Sequence, residues 1–364
     1  QAGQRIRAVA SYVDGAGTAE TVNSSASNGV ALAVFLTDIT AGTGGFVING
    51  AVGGDQSGWS VSGAGDVNGD GLSDVIVGAK LADPAAGADA GKSYVVFGKS
   101  TTTAIDLSAL GTNGFVINGG AAGDQSGYAV SAAGDVNGDG LADVIVGAYL
   151  ADPAGLTNAG KSYVVFGKTS NTAVDLSALG TGGFVINGVA ASDISGRSVS
   201  AAGDVNGDGL ADLIIGAPQA GGVGDLGNSY VVFGKASNAA VSLTTIAAGG
   251  AGAGGFAITG QTGGDLSGYS VKGAGDVNGD GLADLVIGAP AADPLSGVDA
   301  GRAYVVFGKS TTTAVDLSAL GTAGFVISGA AAGDQSGYSV STAGDVNGDG
   351  LADLVIGEIG RAHV

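Results

Sequence analysis

Short apolar runs recur along the chain, separated by stretches rich in Gly, Asp, Asn and Ser. Val75-Ile76-Val77-Gly78-Ala79, Ser93-Tyr94-Val95-Val96-Phe97 and Phe115-Val116-Ile117 come first, and close copies return downstream in the same order. β-Branched and aromatic residues in unbroken runs of this length, bounded by turn formers, predict strands. A further candidate precedes each set. Gly58-Trp59-Ser60-Val61 alternates, and it reappears at 127–130, 196–199, 268–271 and 337–340. A longer excursion through Asp106-Leu107-Ser108-Ala109-Leu110 separates the third strand from the fourth. The third strand is apolar on both alternating faces, Tyr94 and Val96 against Val95 and Phe97, so it must be covered on both sides. Four-stranded antiparallel sheets packed face to face about an axis supply that cover. The predicted fold class is therefore all-β, a β-propeller of four-stranded antiparallel blades. A stacked solenoid is the alternative that the period alone leaves open.

Between the first and second strand of every unit stands the same nine-residue loop, D-V-N-G-D-G-L-[AS]-D. Its first aspartates fall at 66, 135, 204, 276 and 345, in steps of 69, 69, 72 and 69. Oxygen-bearing side chains recur at loop positions 1, 3, 5 and 9. Ca²⁺ takes six to eight oxygens at about 2.3–2.6 Å, which alternate residues of a tight loop can supply. In the first copy Asp66, Asn68 and Asp70 are the candidate side-chain ligands, Leu72 offers its backbone carbonyl, and Asp74 is the closing carboxylate. The same positions are Asp135, Asn137, Asp139, Leu141 and Asp143 in the second copy, and Asp204, Asn206, Asp208, Leu210 and Asp212 in the third. They are Asp276, Asn278, Asp280, Leu282 and Asp284 in the fourth copy, and Asp345, Asn347, Asp349, Leu351 and Asp353 in the fifth. About five Ca²⁺ ions are expected, one per loop.

Asp-Gly and Asn-Gly alone mark ordinary turns, but a turn needs two such residues rather than four at fixed offsets. An EF-hand requires a twelve-residue loop, a terminal Glu and flanking helices. Here the loop closes at its ninth residue, and Val75-Ile76-Val77 runs on as a strand, so the EF-hand is rejected.

Composition sharpens this reading. Gly accounts for 73 of 364 residues without a G-X-Y period, which excludes collagen. A hydrophobic fraction of 45% and a mean hydropathy of +0.37 give the chain material for a large core. The net charge is −20. Three aspartates in each of five loops make 15 of the 33 acidic residues, so five divalent ions would halve the imbalance. A pI near 4.1 argues against nucleic acid and against anionic membrane surfaces. No apolar run reaches the length of a membrane helix, so no direct membrane insertion is expected; the longest run, around Val30 to Leu36, is short. With no Cys there are neither disulfides nor thiolate sites. There is no Met and no leader pattern at Gln1, so the segment is expected to begin downstream of its gene's start.

The unit Ser-Gly-Tyr-Ser-Val, then D-V-N-G-D-G-L-A-D, then Leu285-Val286-Ile287-Gly288-Ala289-Pro290 resembles the FG-GAP repeat. That repeat is the blade of the integrin α-subunit N-terminal propeller and of many bacterial surface proteins. The resemblance covers about residues 40–357. It implies a seven-bladed parent, Ca²⁺ in the loop joining a blade's first two strands, and ligands on the opposite face. This chain holds four full units and half of a fifth, preceded by an isolated Phe46-Val47-Ile48 that matches a fourth strand. The expected organisation is residues 1–38 as the end of an Ig-like or cadherin-like domain plus linker, 39–358 as the partial propeller, and 359–364 as a non-repeat tail. Ile6 to Tyr12, a turn at Asp14-Gly15 and Glu20-Thr21-Val22 read as a β-hairpin. The last six residues match nothing upstream. They back-translate into a common sequencing-adapter sequence, so the reading frame is expected to have been cut there.

Catalytic chemistry has little to work with. The only histidine is His363, which leaves no Ser-His-Asp arrangement and no His-bearing zinc site. A glycosidase needs one carboxylate pair at a set separation, whereas these aspartates recur in every unit. The motif Gly54-Asp55-Gln56-Ser57-Gly58, echoed at Asp124, Asp193, Asp265 and Asp334, reads as an Asp-Ser turn bonding its own backbone. Lys99, Lys168, Lys235, Arg302 and Lys309 read as solvated rim, and the recurring Tyr94 and Phe97 positions as repeated packing. The expected function is a non-enzymatic, extracellular or cell-surface, bacterial-type calcium-binding module for adhesion or recognition of a protein or glycan ligand. The alternatives are a propeller appended to a secreted hydrolase, and a passive spacer in a large surface protein.

Overall fold

The predicted strands form, and each unit folds into one antiparallel sheet. The computed structural model describes residues 9–13, 19–23, 36–221 and 224–359. Residues 360–364 of the tail, His363 among them, lie outside the described residues, as do Gln1–Ala8, the turn at Asp14-Gly15 and Val30–Phe35. The chain divides into two compact units, residues 1–49 with 100–105, and residues 50–99 with 106–364.

In the smaller unit Val9–Val13 and Ala19–Asn23 pair antiparallel with Tyr12 opposite Glu20, which is the expected hairpin. Leu36–Thr40 is a five-residue helix. Ile48–Asn49 pairs with the short strand that begins at Ile105, whose N–H donates to the Val47 carbonyl at 2.8 Å.

The larger unit holds the blades. Blade one comprises Ser57–Gly65, Asp74–Ala79, Lys92–Val96 and Gly114–Asn118. Blade two comprises Ala129–Gly134, Asp143–Ala148, Lys161–Val165 and Gly183–Asn187. Blade three comprises Ser198–Gly203, Asp212–Ala217, Asn228–Val232 and Gly255–Thr259. Blade four comprises Ser270–Gly275, Asp284–Ala289, Arg302–Val306 and Gly324–Ser328. Ser339–Gly344 and Asp353–Gly357 are the first two strands of a fifth. Within each full blade the strands pair in chain order, as in Ile76 opposite Val95 and Val95 opposite Phe115.

The outer edge of a blade is an open row of backbone donors and acceptors, which folded proteins cover. Here the cover comes from the next blade. Val174–Asp175, in the excursion of blade two, pairs parallel with the fourth strand of blade one, Val174 opposite Ile117. Val241–Ser242 and Val315–Asp316 do the same for blades two and three. A 3-10 turn then follows. The Asp106 carboxylate accepts from the Ser108 hydroxyl at 2.6 Å and backbone N–H at 2.8 Å, which hold its pKa below the usual carboxylate range. Asp175 and Asp316 repeat this cap; blade three replaces the turn with a helix, Leu243–Ala248.

The core lies between successive blades. Ile76, Val95, Phe115 and Ile117 of blade one pack against Val144, Val146, Tyr163 and Val165 of blade two. The third strand is thus buried on both faces, as its pattern requires. Close stacking also fixes one glycine. A Cβ on Gly78 would lie 2.1 Å from the Gly127 carbonyl oxygen of the next blade, and Gly147 meets Gly196 in the same way. The recurring Phe pairs are packing contacts, Phe97 to Phe115 at 6.1 Å and Phe166 to Phe184 at 6.0 Å between ring centroids.

Three of the lysines expected as solvated rim have a different place. Lys168 Nζ stands 4.2 Å from the Phe115 ring centroid of the preceding blade and also bonds the Thr172 carbonyl. Lys235 over Phe184 and Lys309 over Phe256 repeat the contact at 4.3 and 4.2 Å. Burial lowers the pKa of all three. They clamp one blade to the next through a cation–π contact.

The first strand of each blade lies against the first strand of the next. Where these strands meet, small side chains leave a cavity of about 370 Å³ lined by Ser62, Ser131, Ser200, Lys272 and Thr342 among others. Lys272 holds the register position occupied by Ser62, Ser131 and Ser200 in the first three blades.

Candidate metal loops and an opposing aromatic face

Every candidate loop takes one conformation. Gly71 sits at φ +84°, the left-handed region that a residue with a Cβ enters only with strain. The Asp66 carboxylate gathers the loop around itself. Its Oδ1 accepts from the N–H of Gly69 at 2.7 Å and Asp70 at 3.0 Å, and its Oδ2 accepts from Gly71 at 2.8 Å. Asn68 Oδ1 accepts from Asp70 N–H at 2.9 Å, and Asp70 Oδ1 accepts from Leu72 N–H at 2.9 Å. Asp135, Asp204, Asp276 and Asp345 organise their loops likewise. Loop positions 1, 3 and 5 are thereby brought together on an exposed hairpin, alongside the Leu72 backbone.

The ninth residue behaves differently. Asp74 is buried, and its Oδ2 accepts from Val67 N–H at 2.9 Å while its Oδ1 accepts from Gly98 N–H, just past the third strand, at 2.7 Å. Asp143, Asp212 and Asp284 make the same two bonds with Gly167, Gly234 and Gly308. This carboxylate ties the loop to the third strand, a role its spacing in the sequence did not reveal. Burial, opposed by these bonds and assisted by the charges of the other two loop aspartates, pushes Asp143 and Asp212 up to about 7. The three carboxylates of a loop therefore feel one another's charge.

The donor set suits a hard cation, since it is oxygen throughout and each carboxylate oxygen that accepts an N–H keeps further acceptor capacity. As they stand, however, the side chains are engaged with backbone N–H groups. Among the described residues no three acidic or histidine side chains are gathered closely enough to hold a metal ion. The loops are also linked to one another. The Asp66 carbonyl accepts from Ala142 N–H of the next loop at 3.0 Å, and Asp135, Asp204 and Asp276 repeat the link at 3.0, 3.0 and 2.9 Å.

The Asp55-type motif at the other end of the first strand bonds its own backbone in some copies only, since Asp55 Oδ2 and Asp265 Oδ2 are buried without a hydrogen-bond partner among the described residues. Asp193 Oδ2 accepts from Ala190 N–H at 3.0 Å and Asp334 Oδ2 from Ala331 N–H at 2.7 Å. Beside it, burial first and the Asp55 charge second push Tyr94 up to about 12.

At that same end lies a cluster that the repeat pattern alone does not reveal. The second residue of the first-strand motif is Trp59, Tyr128, Arg197, Tyr269 and Tyr338 in turn, and Lys80 and Tyr149 follow the second strands of blades one and two. Lys80 Nζ lies 3.2 Å from the Trp59 ring centroid and 5.1 Å from that of Tyr128. The Arg197 guanidinium lies 5.5 Å from Tyr128 and 4.3 Å from Tyr269, and its Nη1 donates to the Tyr128 hydroxyl at 2.7 Å. The Tyr128 and Tyr149 ring centroids lie 4.3 Å apart with the planes tilted by 48°, and those of Tyr269 and Tyr338 5.1 Å apart with a tilt of 44°. The available signal was the one register position that reads aromatic in four units and Arg in the third.

Comparison with known proteins agrees with this architecture. A family model described as FG-GAP repeat matches residues 57–96, 126–165, 195–232, 267–306 and 336–363. Integrin alpha-PS2 of Drosophila melanogaster is 33% identical over 159 residues, which are 43% of this chain and 10% of that protein. Phosphatidylinositol-glycan-specific phospholipase D of Dictyostelium discoideum is 29% identical over 176 residues, 46% of this chain and 18% of that protein. The chain thus spans less than a fifth of either relative. No helix among the described residues is long and apolar enough to cross a membrane.

Proposed function

Because the chain belongs to the FG-GAP repeat family, we propose that it is a calcium-stabilised recognition module of an extracellular or cell-surface protein, serving adhesion rather than catalysis. The observation that carries this reading is the oxygen-only loop, repeated five times at one end of the blades and hydrogen-bonded from each blade to the next. Asp66, Asn68, Asp70, the Leu72 carbonyl and Asp74, with their counterparts in the other loops, would hold the ions. Bound Ca²⁺ would supply the counter-charge that the crowded carboxylates lack. Because the Asp66 carbonyl also holds the next loop, an ordered loop keeps two blades in register. The non-catalytic reading rests on uniform repetition, since a reaction needs a singular pair of groups and these carboxylates recur in every blade.

The likeness to a protein named as a phospholipase D favours one second reading, a non-catalytic propeller accompanying a secreted hydrolase. Equilibrium dialysis against Ca²⁺ tests the metal reading: about five ions per chain are expected, and fewer than about one would end it. Protein and glycan arrays probed with the Ca²⁺-loaded chain separate a recognition module, which retains specific partners, from a spacer, which retains none.

A further inference from the structure

Blade packing does not account for the charges on the aromatic face. Lys80 sits over Trp59 and Arg197 over Tyr269, both lie within 5.5 Å of the Tyr128 ring, and neither forms an ion pair among the described residues. Arg197 spends one N–H on the Tyr128 hydroxyl, and no other hydrogen bond of its guanidinium is formed among the described residues. Burial first and the Arg197 charge second lower the Lys80 pKa, so the two cations stand within range of each other's field, with aromatic rings but no carboxylate paired to either among the described residues. Neither is part of the repeat. Where blade one has Lys80, the later units have Tyr149, Pro218, Pro290 and Ile359, and where blade three has Arg197, the others have an aromatic ring.

The surface is also open. Trp59 is 51% exposed, Lys80, Tyr128, Arg197 and Tyr269 are half-buried, and none of them lines the four cavities formed elsewhere on the blades. Small-molecule sites are concave, whereas an open surface of Trp, Tyr and Arg has the composition found at the centre of protein interfaces. The rings meanwhile hold the two cations in place, leaving the guanidinium fork to meet a carboxylate. We propose that this face docks a protein partner that places an acidic side chain between Lys80 and Arg197 and packs its neighbouring residues on Trp59 and Tyr269. The inference rests on the recognition reading above and names the chemistry of its partner.

Trp59 is the chain's only tryptophan, so its emission reports on this face alone. The test titrates the whole Ca²⁺-loaded chain with acetyl-Leu-Asp-Leu amide, with its Asn counterpart and with a glucuronate-containing oligosaccharide. A saturable change in Trp59 emission is expected with the acidic peptide at millimolar concentration, at least about tenfold weaker with the Asn peptide, and weakened by added salt. Lys80→Gln and Arg197→Gln should each weaken the acidic peptide about tenfold while leaving the melting temperature close to that of the parent. If Arg197→Gln fails to fold, Lys80→Gln decides, because Lys80 lies just past the end of its strand. Equal responses to the two peptides, no saturable response up to about 20 mM, or full affinity in the folded variants would overturn the proposal. So would binding of the oligosaccharide in place of the peptide. Ca²⁺ binding is read separately by dialysis, so failure here leaves the calcium-stabilised module standing.

Discussion

Two aspartates of one loop differ in what they hold, and substitution should separate them. Asp143 is buried and accepts from Val136 and Gly167 N–H at 2.9 and 2.8 Å. Asp143→Ala leaves two buried donors unsatisfied and should destabilise the fold by about 2–5 kcal/mol in chelator, and by more in Ca²⁺, where a proposed ligand is lost as well. Asp139 is exposed and bonds only within its loop. Asp139→Ala should shift stability by less than about 0.5 kcal/mol in chelator, yet lose one Ca²⁺ and part of the calcium-dependent gain. Denaturant melts of both variants, with and without Ca²⁺, check the pair. Lys272 makes a third residue-scale case. Burial lowers its pKa, so between its folded value and the ordinary lysine value the unfolded chain binds more protons, and stability rises with pH across that alkaline window. Lys272→Ser, which copies the serine of blades one to three, should raise the melting temperature near neutral pH by about 1–3 °C and flatten that alkaline rise. Melts across pH 7 to 11 read both effects, and a lowered melting temperature would contradict them.

At the scale of the blade, sequence periodicity located all four strands because each is a short apolar run bounded by turn residues, and Val95 and Val96 side by side implied cover on both faces. The two-residue strand Val174–Asp175 was not legible, since it takes meaning only from the Ile117 edge it covers in another blade. The same holds for Lys168, whose place over Phe115 is set by stacking rather than by local pattern. The loops were legible as oxygen-rich hairpins, but the turn of Asp74 toward Gly98 was not, because that bond spans 24 residues. Glycine at the blade seam yields a sharp expectation. Gly147→Ala would push a Cβ to 2.1 Å from the Gly196 carbonyl oxygen, so the blades must separate or strain. A loss of about 1–3 kcal/mol or more is expected, seen as a lowered denaturation midpoint; an unchanged midpoint would show that the seam is looser than the structure indicates.

Across the whole larger unit, the two ends of the first strands have separate chemistry. One end carries the acidic loops, joined from blade to blade by bonds such as Ala142 N–H to the Asp66 carbonyl at 3.0 Å. The other carries rings and two cations without an ion pair among the described residues, in a chain of net charge −20. Repetition made the first end conspicuous in the sequence, and departure from repetition hid the second, since Lys80 and Arg197 are distant in the chain and meet only around Tyr128. Cations at the loops should tighten the entire stack, because every loop is bonded to its neighbour. The most direct test is the thermal melt of the intact chain over a Ca²⁺ series from excess chelator to millimolar ion. A melting temperature that climbs continuously with Ca²⁺, by an amount requiring several ions bound to the folded state, is expected. A melting temperature the same in chelator and in millimolar Ca²⁺ would contradict the claim that these loops hold the blades through calcium.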